Sequence, residues 1–373
     1  MGSLRFLLAL GVATGHIASL TATTIDQHWL MGGSRAVQIF YMISGFLMAL
    51  ILNGKYPKGS AGNRLFWTNR LVKILVPYLV ALAFSIALGL LALAVTGNGT
   101  MMLNPWLAQG STMTWSTWAY AVLTNLFIVG QEWGFLLIYR AGSLFYSFHA
   151  YEQPPLAAQF IVDLPSWTLS IELMFYAIAP FILRRHVLVI AAIACASHVL
   201  RFESYHLGYY SEATNYRFFP FEISLFLYGA VCFKLGKILS LSDTRVTNAL
   251  VAVALAIIVL KPTYLIENQF KLYFLIGVLL PSLFDFSRRY RWDHALGDVS
   301  FPLYLVHFPI GAFAGAMAEG FVAACVSVVA SIAAAIILDR YVVVPIDRWR
   351  QSRALKMQNE GQKRAPNIAV QVG

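Results

Sequence analysis

The chain has 373 residues, 59% of them hydrophobic and only 12% charged, against about 45–50% and about 25% in soluble domains. That pairing excludes a soluble globular enzyme, a disordered chain and a DNA-binding module, while the 14% of aromatic residues suits a bilayer protein with interfacial belts. Cys195, Cys232 and Cys325 each lie in an apolar run, which excludes a disulfide framework and a CxxC zinc site, and the net charge of +10 takes its meaning from where the charges fall.

A spanning helix needs about 20 mostly apolar residues. Eleven stretches come close, at roughly 4–20, 36–52, 74–95, 117–138, 166–183, 187–200, 218–239, 246–260, 270–286, 299–318 and 320–339. The first has no small-residue cleavage site and reads as a retained helix. The connection 53–73 holds Lys55, Lys58, Arg64, Arg70 and Lys73, so it reads as cytoplasmic, as does the amino terminus one hairpin earlier. If every stretch crossed, Arg184 and Arg185, the group Arg288, Arg289 and Arg291, and the basic tail would lie outside. One non-crossing stretch between 74 and 165 repairs all three, leaving only Arg35, Arg140, Arg201, Arg217, Lys261 and Lys271 on the outer side. The candidate is 117–138, whose Thr117, Thr124, Asn125, Gln131 and Glu132 are costly in lipid. An ordinary polar spanning helix with one further crossing is the other reading.

The expected fold is therefore all-α: a polytopic membrane helical bundle of about ten transmembrane helices, with a re-entrant or extracytoplasmic segment around 97–165 and both termini cytoplasmic. Residues 1–345 would be the membrane domain and 346–373 a polar, disordered cytoplasmic tail. Residues 340–373 carry seven basic and two acidic side chains, which an inner-face tail near anionic lipid explains without nucleic acid.

Ionisable groups at bilayer depth are costly and mark candidate functional sites. Arg5 and His16 are eleven residues apart, which puts them within about 20° on one helix face and about 16 Å apart along it. Arg5 then sits near the cytoplasmic surface and His16 toward the outer third. Glu172, about 9 Å below the outer end of the helix opening at Ser166, is at a depth that permits a His16–Glu172 pair. A neutral imidazole can take a proton from an attacking hydroxyl, and a carboxylate can orient it; the plainer alternative is a polar helix contact and a neutralised arginine. Arg70 and Lys73, one turn apart, would with Arg5 form a cationic mouth for a phosphorylated ligand, or serve only as positive-inside anchors. Ser44 and Gly45 read as helix packing residues in preference to catalytic ones, and His307, just before Pro309, reads as a hydrogen-bonded packing residue, with a second functional histidine as the alternative. No HExxH, Walker A, GxSxG or GxGxxG pattern occurs, and no metal site is expected.

Arg5-x10-His16, the Phe40–Phe46 segment, Phe66-x3-Arg70-x2-Lys73 with Pro77-Tyr78, Trp167-Thr-Leu-Ser170-Ile-Glu172-x3-Tyr176-x3-Pro180 and Leu296-Gly-Asp-Val-Ser300-Phe-Pro-Leu-Tyr304-Leu-Val-His307 together resemble the acyltransferase 3 family. The resemblance implies a membrane O-acyltransferase that moves an acyl group, usually acetyl, from cytoplasmic acyl-CoA to a carbohydrate hydroxyl, as in exopolysaccharide and O-antigen acetylases. It implies His16 as the catalytic histidine, with Glu172 and Ser170 in the catalytic site, and Arg5, Arg70 and Lys73 on the CoA phosphates. Trp167 and Tyr176 would meet the substrate, Trp167 by stacking on a sugar or as an interfacial anchor. Lys73 stands where arginine is common, which removes a planar fork. The expected partners are acyl-CoA, with acetyl-CoA as donor substrate and no permanently bound cofactor, a lipid-linked or polymeric glycan acceptor, and membrane lipid, with no nucleic acid. The expected setting is the bacterial cytoplasmic membrane, and the layout is that of a stand-alone acylase without an appended extracytoplasmic domain. The alternative reading is a transporter or flippase of a glycan intermediate.

Overall fold

The computed structural model describes residues 1–23, 30–236, 244–260, 262 and 269–364. Its helices are α1 (Gly2–Leu20), α2 (Gly33–Gly54), α3 (Ser60–Thr96), α4 (Asn104–Gln109), α5 (Trp115–Phe127), α6 (Trp167–Ile182), α7 (Val187–His206), α8 (Glu212–Asn215), α9 (Phe219–Gly236), α10 (Thr244–Leu260), α11 (Gln269–Arg289), α12 (Arg291–Met317), α13 (Phe321–Leu338) and α14 (Val344–Arg364). A π-helical turn, Asp339–Val343, joins α13 to α14. Among the described residues, eight helical runs are long and apolar enough to cross a bilayer: α1, α2, α3, α7, Glu212–Gly236, α11, α12 and Phe321–Met357. The expected ten is reached only by adding α6 and α10, of 16 and 17 residues, both under the ~20 that a full crossing needs.

Between α3 and α6 the longest helix is α5, of 13 residues, so 117–138 forms no spanning helix. The rest of this segment is α4, short 3-10 turns and a hairpin of β1 (Leu137–Arg140) and β2 (Ser143–Tyr146), antiparallel with Leu137 opposite Tyr146. Ala141 and Gly142 at its tip have φ of 48° and 81°, the left-handed pair that a two-residue hairpin turn requires. The polar residues that make this stretch costly in lipid are, apart from Glu132, spent on internal bonds. Asn125 Nδ2 donates to the Phe160 carbonyl at 2.8 Å and its Oδ1 accepts from Val162 N at 2.9 Å, while Gln131 Nε2 donates to Tyr78 Oη at 3.2 Å. Two carboxyls here, Glu132 and Asp163, are pushed above the ordinary carboxylate range by burial.

Two expectations need correction. The basic connection 53–73 is largely helix, because α3 begins at Ser60. The tail expected to be disordered from 346 continues as α14 to Arg364, held to α3 by Asn69 Nδ2 donating to the Arg350 carbonyl at 3.4 Å and by Arg353 Nη1 donating to Asn69 Oδ1 at 3.4 Å. Lys261, expected on the outer side, and residues 365–373 of the tail lie outside the described residues.

Small residues set the closest helix contacts. A Cβ on Gly45 would fall 1.7 Å from the Phe226 carbonyl oxygen and one on Gly229 1.9 Å from that of Met42, so α2 and α9 touch backbone to backbone. A Cβ on Gly2 would meet the Asp293 carbonyl oxygen at 1.5 Å, one on Gly311 the Ile17 side chain at 3.0 Å, and one on Gly315 the Leu20 carbonyl oxygen at 2.1 Å. Residues 2, 17 and 20 of α1 thus face 293, 311 and 315 of α12, and the two helices run parallel. An even number of crossings must separate the starts of parallel spanning helices, the parity obtained by leaving out 117–138. The bundle interior is tied by a buried polar cluster on four helices, in which Gln38 Nε2 (2.9 Å) and Arg201 Nη2 (2.6 Å) donate to Glu222 Oε1 and Tyr273 Oη donates to Gln38 Oε1.

Candidate active site

The amino end of α1 is seated by one carboxylate. Asp293 on α12 accepts from Gly2 N and Ser3 N, both at 2.8 Å, and from Ser3 Oγ at 2.5 Å. An acceptor at a helix amino terminus satisfies donors that have no partner in the helix and complements its dipole. With its start pinned and glycines drawing it along α12, α1 presents Arg5 and His16 at set depths.

Arg5 lines two adjoining cavities. The outer, about 880 Å³, is walled by α2, α3, α6 and α12, with Ser44, Arg70, Lys73, Glu172, Tyr176 and Tyr304 among its polar surface. The inner, about 1160 Å³, is bordered by Lys55, Arg288, Asp298, Asp347 and Arg350. Arg5, Arg70, Lys73 and Leu47 line both. The three cations therefore form a collar where one space meets the other. The Arg70 side chain is buried, its Nε has no hydrogen-bond partner, and its guanidinium lies 5.9 Å from the centroids of both the Phe66 and Tyr176 rings. Pro77 lies inside α3 one turn after Lys73, where it lacks the N–H that would bond the Lys73 carbonyl.

Above the collar, Glu172 Oε1 accepts from Ser44 Oγ at 2.8 Å and from Tyr176 Oη, and the two hydroxyls are 3.3 Å apart. The far end of the cavity is closed by Thr168 and Tyr304. Their hydroxyls are 2.9 Å apart, and Tyr304 Oη also donates to the Pro165 carbonyl at 3.1 Å. Behind this wall, His16 Nδ1 lies 2.9 Å from His307 Nε2. The two rings are within 10° of parallel, and the Tyr304 ring centroid is 5.7 Å from that of His307.

These positions redistribute the residues singled out in the sequence. Arg5, Arg70, Lys73, Glu172 and Tyr176 come together on the cavity wall. The expected His16–Glu172 pair does not form, since His16 bonds His307 and Glu172 bonds two hydroxyls. Ser170 is fully buried and accepts from Gly130 N at 3.0 Å, joining α6 to the outer segment and not to the cavity. Trp167, expected at the rim, is buried. The Arg217 guanidinium lies 4.4 Å from its ring centroid, with the Phe135 and Tyr216 rings at 6.0 and 5.0 Å. Thr168 and Tyr304 are wall residues that the sequence reading did not assign, Ser44, read as packing, is a third, and His307 is the partner of His16. Among the described residues no cluster suited to a metal ion occurs.

The model of the acyltransferase 3 family, described as an acyltransferase domain, matches residues 2–340. No curated protein and no solved structure matches the chain. A match over nearly the whole membrane part, on a bundle of apolar helices, identifies a membrane acyltransferase: this chain belongs to the acyltransferase 3 family.

Proposed function

We propose that the chain transfers an acyl group, acetyl in the simplest case, from cytoplasmic acyl-CoA to a hydroxyl of a surface or exported carbohydrate, in the bacterial cytoplasmic membrane. The observation that carries this reading is the collar of Arg5, Arg70 and Lys73 shared by the two cavities. A donor with phosphates at one end and a thioester at the end of a long arm matches a wide basic basin that opens through cations into a deeper cavity. The phosphates would pair with the collar, and the arm would run toward Glu172 and Tyr304. The distance from Arg5 to His16, about 16 Å along α1, suits an arm of that kind.

In this reading His16 is the base that takes the proton of the acceptor hydroxyl. Glu172, held by Ser44 and Tyr176, sets the charge of the cavity opposite the collar and fixes the Tyr176 hydroxyl in the arm's path. It does not orient His16. The Tyr304 ring separates the cavity from the imidazoles and must turn aside for the acyl group to meet the acceptor.

The test is His16→Ala, checked for expression in the membrane, with mass spectrometry of the surface polysaccharide. Acylation should fall by a factor on the order of 10²–10⁴, and undiminished acylation would overturn the assignment. In parallel, Arg70→Ala should weaken acyl-CoA binding to purified protein by at least about tenfold, the loss of a charge-assisted contact; unchanged affinity would reduce Arg70 to a topological anchor.

A further inference from the structure

His307 is completely buried, and among the described residues no carboxylate bonds either His307 or His16. A buried imidazolium without an anion is costly, so both rings are neutral at rest, each with one N–H and one lone pair. The Leu303 carbonyl oxygen, 3.2 Å from His307 Nδ1, can only accept, so Nδ1 carries the His307 proton. His307 Nε2 is then a lone pair. Facing it at 2.9 Å is His16 Nδ1, which must donate. The proton of His16 is thereby committed to Nδ1, and the lone pair falls on Nε2.

We propose that His307 is a positioning residue that fixes the His16 tautomer and so makes Nε2 the basic atom of the transfer. This rests on the reading of His16 as the base. As the acceptor oxygen attacks the thioester carbonyl, its proton passes to His16 Nε2, and the carbonyl carbon gains a C–O bond. When the C–S bond breaks, the proton on Nε2 passes to the departing sulfur, giving ester and free thiol with His16 neutral again. The Nδ1 proton stays in the bond to His307 throughout, and the neutral His307 nitrogen takes up part of the transient positive charge through that bond. The parallel seating of α1 on α12 makes this possible, because Gly311 and Gly315 let the backbones approach at the level of the two rings.

The charged and titratable neighbours are Tyr304, whose ring centroid is 5.7 Å from that of His307, and Arg217, which stacks on Trp167; neither the Tyr304 hydroxyl nor the Arg217 guanidinium is bonded to an imidazole nitrogen of the pair. The decisive measurement is ¹⁵N NMR of histidine-labelled wild-type protein in detergent or nanodiscs, with His16 assigned by substitution. The expected result is a protonated Nδ1 on His16. A proton on Nε2 in the resting protein would overturn the proposal without any variant. His307→Leu removes the acceptor and should lower kcat on the order of 10²-fold, with KM for acetyl-CoA within a few-fold and the His16 proton moved to Nε2. His307→Gln, whose amide oxygen can accept from Nδ1–H, should recover most of that loss. Full kcat in His307→Leu while His16→Ala is inactive would sink the role of His307 alone, whereas full activity in His16→Ala would sink the broader reading.

Discussion

Glu172 and Ser170 stand two positions apart on α6 and do different work. At 100° per residue they are about 200° apart around the helix, so a motif that names both cannot place both on one wall. Leu169, Glu172 and Tyr176 recur at the spacing of a single face, and all three line the outer cavity. Ser170 points the other way and receives the Gly130 N–H. Ser170→Ala should therefore leave the kcat of a purified, folded sample within a few-fold and lower its thermal stability, since a buried N–H without a partner costs about 1–3 kcal/mol; a large fall in kcat at unchanged Tm would restore Ser170 to the chemistry. Much of this was legible in the sequence. The helical angle separates Ser170 from Glu172, and the angle between Arg5 and His16 puts both on the face toward α12. The partner of His16 was not legible, because matched depth admits several polar residues and only the register of α1 against α12 selects His307 over Glu172.

At the scale of elements, the contact between α1 and α12 governs the site. Its glycines are not equivalent. A methyl at 311 would meet only side-chain atoms that close, Ile17 Cγ1 and Leu20 Cδ1 at 3.0 Å, whereas one at 315 would enter the Leu20 carbonyl oxygen at 2.1 Å. Gly311→Ala should be tolerated, while Gly315→Ala should force the helices apart, with a Tm loss corresponding to about 1–3 kcal/mol and a lower kcat from a displaced His16. Activity assays and thermal unfolding of both variants check this, and equal behaviour would mean that the outer half of the contact is slack. Apolar runs revealed the spanning helices well, because a bilayer rewards an unbroken apolar stretch. They said nothing of the basic start of α3 or of α14, which are polar and leave no such signature. α14 is built from contacts across the chain, among them the Asn69 bond to Arg350, which no local pattern announces.

At the scale of the molecule, charge and shape agree. The cations near the inner ends of the helices that a topology argument places in the cytoplasm also border the basin, so in the proposed reading one set of residues would both orient the chain and receive a phosphorylated donor. The parity inferred from loop charges reappears as two parallel helices. The irregular segment between α3 and α6 is bonded to both helices, through Tyr78 to the Asn125 carbonyl and through Ser170 to Gly130 N. Tyr304, held by Thr168 and the Pro165 carbonyl, both lines the outer cavity and lies against His307. An enzyme that, as proposed, hands cargo across an energised membrane would also have to remain an insulator, and Tyr304 is the side chain placed to act as its dielectric plug. Tyr304→Ala should open a water-filled thread through the bundle, read as dissipation of a pH gradient in proteoliposomes under conditions where the parent protein holds it; an undiminished gradient would locate the seal elsewhere.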